Sequence, residues 1–212
     1  MLTTGDTSSL VIDTLYDQTD GVGVAITGLY CDFQHQKEQS TTNMLGAILK
    51  QLIVGDNIPE CIREAFRRGR DRFGGGCLGR QDLLRMLKRT IQTLTRVFIC
   101  IDGLDECQPD HRLGLLESLR ELSRESPGVR IFLAGRTHVK DEVEKYLTGV
   151  RMIYVVPRQD DIRIYLEMKL ERDTELDAMD DSLRRDIMNK IPKSIAEMCV
   201  KPQYLRSELN IL

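Results

Sequence analysis

The sequence predicts an α/β fold built on a parallel sheet, and three observations carry that expectation. Four short runs rich in β-branched and apolar residues recur along the chain: "GVAITGLYC" (23–31), "VFICI" (97–101), "VRIFLAG" (129–135) and "RMIYVV" (151–156). Longer segments with helical spacing of apolar residues separate them, and that alternation calls for helical crossovers between parallel strands. The second run ends abruptly in Asp102, at the edge where open α/β sheets bind ligands.

After the first run, Thr41 or Thr42 offers a hydroxyl N-cap for a helix through Met44, Leu45, Ile48, Leu49 and Leu52, whose 3, 4 and 7 spacings form one apolar stripe. A second helix, about 59 to 72, begins at Pro59 and stops before "GGGC" at 74–77, where three glycines disfavour continuation. A third is expected over 80–94. Beyond the second strand, "LGLLESLRELSRE" (113–125) carries Leu115, Leu116, Leu119 and Leu122 on one face and ends at Ser126, Pro127 and Gly128. From Arg158 onward the pattern predicts two or three short helices, "QDDIRIYLEMKLER", "DDSLRRDIMNKI" and "PKSIAEMC", and no further strand. The final "VKPQYLRSELNIL" reads as a tail, interrupted by Pro202.

At 212 residues the chain can bury one large core, or a core plus an appendage. With 30 Lys+Arg against 33 Asp+Glu the net charge is −3, so no global field draws it to nucleic acid or anionic lipid. The densest basic stretch, Arg63 to Arg72, is broken by Glu64 and Asp71 and is expected to be a solvated helix face. No apolar run approaches the roughly 18 residues of a membrane span. The six cysteines form no CxxC pair, which predicts reduced thiols in a cytoplasmic protein. Cys107 and His111 stand at ligand spacing, but two ligands do not make a metal site.

In "RVFICIDGLDEC" (96–107), Asp105 and Glu106 follow Asp102 within one turn. Three carboxylates so close repel one another unless a cation or donors compensate. A buried strand ending in such a cluster is the Walker B pattern. Asp102 would hold Mg²⁺, through water, and Asp105 or Glu106 would polarise an attacking water. The competing expectation is that Asp105 and Glu106 open the following helix at its positive end. Arg136, ending the third run, could sense a γ-phosphate or pair with the acidic cluster.

In order and spacing, "LVIDTLYDQ", "YCDFQHQKEQSTTNMLGAILKQL", "FICIDGLDEC", "IFLAGR" and "DIRIYLEMKLE" resemble the NACHT ATPase core of fungal NOD-like, STAND-class proteins, over roughly residues 8–200. The resemblance implies a P-loop NTPase-like three-layer sandwich with a parallel sheet, followed by a short helical segment. It implies ATP or GTP with Mg²⁺ as cofactors, nucleotide-gated oligomerisation, and roles in non-self recognition or programmed cell death. Catalytic roles would fall to Asp105, Glu106 and the sensor-like Arg136, and cofactor and metal binding to Asp102. Expected partners are proteins, either complete relatives or a second copy of the chain, with no nucleic acid and no membrane.

The chain departs from that family at the phosphate cradle. A P-loop requires GxxxxGK[ST], because glycine N–H groups wrap the phosphates and the lysine reaches their outer oxygens. Glycine precedes none of the nine lysines, so no Walker A motif is present in the sequence. Its expected position holds only "MLTTGDT", with Gly5, Asp6 and Thr7 as a remnant. The resemblance implies that the missing first strand lies centrally, between the Walker B strand and the "FLAGR" strand, so either those two strands close onto each other, or an N-terminal segment encoded elsewhere completes the sheet, or the product is incomplete and folds poorly. The expected organisation is an incomplete core over 1–157, a helical segment over 158–200 and a truncated tail over 201–212. Hydrolysis is not expected of such a chain. A non-catalytic interaction scaffold, or a fragment without function, is the alternative.

Overall fold

The computed structural model describes residues 4–19, 23–53, 60, 62–64, 78–155, 158–172, 181–198 and 201–206. Its first elements are helix α1 (Thr4–Gln18), strand β1 (Val24–Tyr30), helix α2 (Thr41–Leu52) and helix α3 (Arg80–Ile91). Strand β2 (Arg96–Asp102), helix α4 (Pro109–Glu125), strand β3 (Val129–Ala134), helix α5 (Lys140–Tyr146) and strand β4 (Val150–Val155) follow. Helix α6 (Gln159–Arg172), helix α7 (Asp181–Met198) and strand β5 (Lys201–Arg206) complete the order. All four expected strands are present. The helix expected over 59–72 and the basic stretch to Arg72 fall largely outside the described residues.

Strands β1, β2 and β3 form a parallel sheet flanked by helices. Alternation along β2 sorts its side chains between two layers. Val97, Ile99 and Ile101 join Ile131 and Leu133 of β3 beneath α2, α3 and α4. On the other face, Cys100, Phe132 and Ala134 pack against Val11, Ile12 and Leu15 of α1. The larger core is closed by fully buried leucines of α4, Leu115, Leu116, Leu119 and Leu122, on the predicted stripe.

The sheet order is β1-β2-β3-β5-β4. The expected first strand does not stand between β2 and β3: they are direct neighbours in parallel register from Val97↔Val129 to Ile101↔Leu133, so of the expected alternatives the Walker B and "FLAGR" strands close onto each other. Backbone donors and acceptors along that seam are thereby paired. One expectation is corrected: residues 201–206 form a strand where a tail was expected. β5 runs antiparallel to both β3 and β4, with Leu205 opposite Phe132 and Arg151. The place between β3 and β4 is thus filled by a reversed strand.

Two local readings also change. The N-cap of α2 is Ser40, whose side chain accepts the Asn43 N–H, while the Thr41 hydroxyl donates to the His111 carbonyl at 3.0 Å. Residues expected to form two helices after Asp181 form the single helix α7, with Pro192 inside it. Pro192 removes one backbone donor without ending the helix.

Candidate functional site

The β1–β2 register ends at Tyr30↔Asp102, so the segments leaving both strands emerge side by side at the carboxyl edge of the sheet. The Cys31 N–H donates to the Asp102 carbonyl at 2.9 Å, extending the pairing by one residue. Gly103 then turns the chain with φ 67°, in the left-handed region that favours glycine. A Cβ there would lie 2.6 Å from the Cys31 carbonyl oxygen. The close approach of the two segments therefore depends on the absent side chain.

Beyond Gly103, Leu104–Glu106 form one 3₁₀ turn, with Leu104 buried beneath it. This turn spreads the carboxylates apart. Asp102 is buried, and one of its oxygens accepts the Gly103 N–H at 2.9 Å. Asp105 faces the other way: it accepts the Arg136 N–H at 3.1 Å and pairs with the Arg136 guanidinium at 3.3 Å. Its side chain is 6% exposed, whereas that of Arg136 is 62% exposed. Glu106 accepts the Phe33 N–H at 3.1 Å, and its carbonyl accepts from Gln36 Nε2 at 2.6 Å. Donors from three segments thus compensate the acidic cluster. Asp105 and Glu106 precede α4, whose first turn carries Asp110 instead.

Arg136 is positioned by the carboxyl end of β3, as predicted, and is engaged by Asp105. Of the two expectations for this side chain, pairing with the acidic cluster is the one the structure shows. Among the described residues, no three His, Cys, Asp or Glu side chains converge on a cation position, and His111 and Cys107 form no metal centre. Mg²⁺ is compatible with Asp102 alone, because that ion commonly takes one carboxylate and completes its shell with water and phosphate oxygens.

Helix α1 runs antiparallel to β1. A Cβ at Gly28 would lie 3.1 Å from the Ile12 side chain, and the Ser9 and Tyr30 hydroxyls lie 3.4 Å apart, so the amino end of α1 points to the sheet edge that holds Asp102. Gly5, Asp6 and Thr7 belong to the opening turns of this helix and form no loop. The backbone N–H groups of a helix's first turn lack intrahelical partners and favour anions.

Three supports of the site were missed by sequence reasoning. Arg112 donates to the Cys107 carbonyl at 3.0 Å and grips Glu142 with two nitrogens, at 2.6 and 2.9 Å. Hydrogen bonds from Arg112 hold the Glu142 carboxyl below the usual carboxylate range. Asp32 caps the 3₁₀ turn Phe33–His35, and the Gln34 N–H, then His35, lower its carboxyl as well. The Cys31 and Cys107 sulfurs lie 2.9 Å apart. That contact lowers the Cys107 thiol, with Arg112 contributing, and raises the Cys31 thiol. Sequence spacing holds no signal for a pair that only the strand register brings together.

No helix among the described residues is long and apolar enough to cross a membrane. No curated protein and no solved structure matches the chain. A family model, Nephrocystin 3, N-terminal, matches residues 7–136, from the second turn of α1 to the arginine that pairs with Asp105. The chain therefore belongs to the nephrocystin 3, N-terminal family.

Proposed function

We propose that this chain is a NACHT-type signalling module that binds ATP or GTP with Mg²⁺ without turning it over, in the manner of fungal NOD-like proteins of non-self recognition or programmed cell death. The observation that carries this proposal is the shared sheet edge: Asp102 ends the buried strand β2 where the amino end of α1 also points. Asp102 would hold the ion through water, and the first-turn N–H groups of α1 would face phosphate oxygens. Bound Mg²⁺ would supply charge neutralisation for the phosphates.

Turnover is disfavoured by what surrounds Asp102. Asp105 accepts both the backbone and the side chain of Arg136, and Glu106 is held by Phe33. Asp105 is turned toward Arg136 and Arg136 toward Asp105, which takes both away from a phosphate at the sheet edge. Without GxxxxGK[ST] the positioning that dominates phosphoryl transfer is also lacking. Calorimetric titration with Mg·ATP and Mg·GTP tests the proposal, with phosphate release followed in parallel. Mg²⁺-dependent binding that disappears in Asp102→Asn, with no phosphate released, is expected. Absence of binding in the wild-type chain would leave the interaction-scaffold alternative.

A further inference from the structure

Three cysteines lie among the described residues, and two of them meet. Cys31 is the first residue beyond β1, and Cys107 follows the 3₁₀ turn beyond β2, so 75 residues of chain separate two sulfurs that lie 2.9 Å apart. A disulfide bond is about 2.05 Å long, so the sulfurs stand within about 1 Å of bonding distance. Backbone contacts hold the two segments together: Cys31 N–H binds the Asp102 carbonyl, and Gly103 admits the Cys31 carbonyl against the turn. Arg112 fixes the Cys107 carbonyl from the other side. Cys31 is partly exposed, which gives a small oxidant a route to the otherwise buried pair.

We propose that Cys31 and Cys107 are a redox modification site, oxidised by hydroperoxides to a reversible disulfide that ties the β1 exit to the carboxylate turn. Cys107 sulfur, which Cys31 and Arg112 favour as the thiolate, attacks a peroxide oxygen, the O–O bond breaks, and the thiol proton leaves with the released hydroxide as water. The resulting sulfenic acid is attacked by Cys31 sulfur. The S–O bond breaks, and its hydroxide takes the Cys31 proton as a second water. Two thiols lose two electrons in total, and one hydrogen peroxide becomes two waters. A dithiol reverses the bond by exchange. Oxidation would hold the Asp32–Gln39 segment, already bound to Glu106 through Phe33 and Gln36, against the turn. This proposal is independent of nucleotide binding.

The test is treatment of the full chain with hydrogen peroxide, followed by alkylation in denaturant and mass spectrometry of a non-reduced digest. The expected result is loss of the mass of two hydrogens, one linked peptide pair joining Cys31 to Cys107, Cys100 recovered as a free thiol, and complete reversal by dithiothreitol. The bond should form about tenfold faster, or more, in the folded chain than in the urea-unfolded chain, because the fold supplies proximity. Cys31→Ser should lose the linked pair and leave Cys107 recoverable as a thiol or a sulfenic acid adduct. Separate alkylation of Cys31 and Cys107 after peroxide, linkage of either to another cysteine or another chain, or equal rates in folded and unfolded protein would overturn the proposal. The wild-type measurements decide it even where the serine variant fails to fold.

Discussion

Replacing Gly103 by alanine should destabilise the protein far more than the same change at Gly149. Both glycines have positive φ, 67° and 75°, so both substitutions place an L residue in the left-handed region, at about 1 kcal/mol each. Their surroundings differ. A Cβ at Gly149 meets nothing within 4 Å, whereas one at Gly103 lies 2.6 Å from a backbone oxygen of Cys31. That atom belongs to a paired strand exit and cannot rotate away. Relief requires the β1 exit to move, which strains or breaks the bond from Cys31 N–H to the Asp102 carbonyl. A lost hydrogen bond contributes about 1 kcal/mol and local overpacking about 1 to 3 kcal/mol, so Gly103→Ala should total roughly 3 to 5 kcal/mol. For a chain of this size that is a Tm loss of roughly 6–20 °C, against roughly 2–4 °C for Gly149→Ala. Gly46, inside α2 with open space around its missing Cβ, gives the opposite sign: Gly46→Ala should stabilise by about 0.5–1 kcal/mol. Urea and thermal unfolding of the three variants measure these differences. Equal losses at Gly103 and Gly149 would refute the close approach of the two strand exits.

Leu119→Ala, at a fully buried position of α4, should cost about 3–5 kcal/mol in urea unfolding, and a loss under about 1 kcal/mol would contradict its place in the core. Glu142 has a lowered carboxyl pKa in the folded chain, so its contribution is present above the unfolded value near ~4.3 and is lost as pH falls through the lower folded value. Tm profiles of wild type and Glu142→Gln should therefore differ at neutral pH and converge in acid; a constant gap would refute the pairing with Arg112. Lys88 bridges Glu121 and Glu125 at 2.6 and 2.8 Å on a partly solvated helix face. Lys88→Met should cost under about 1 kcal/mol, a difference that shrinks in high salt.

The parallel strands were legible because each is a short apolar run, and the β2 run ending at Asp102 also located the sheet edge. The stripe Leu115, Leu116, Leu119 and Leu122 fixed the buried face of α4 for the same local reason. What escaped was set by distant partners. "KPQYLR" carries a proline and little apolar periodicity, yet it forms β5 because backbone groups of β3 and β4 flank it on both sides. Pro192 looked like a helix break, but a proline inside a helix removes one bond and leaves the flanking turns intact. Ser40 was passed over because three adjacent hydroxyl residues compete as caps, and the one chosen is decided when Thr41 binds His111 across the core. At the site, the sequence placed Asp102, Asp105, Glu106 and Arg136 together. It did not reveal that Asp105 and Glu106 turn to different partners, since those directions follow from Gly103 and the strand register.

The most direct test of the nucleotide proposal is a thermal melt of the purified chain with Mg²⁺ and ATP or GTP, run beside Asp102→Asn. A ligand that binds only the folded state at a hundredfold excess over its Kd adds about 2.7 kcal/mol. An upward Tm shift of roughly 5–10 °C is expected for wild type with Mg²⁺ present, and none for the variant. A wild-type melt that ignores nucleotide, or a shift that survives loss of the Asp102 carboxylate, would contradict the assignment of this sheet edge as a Mg²⁺–nucleotide site.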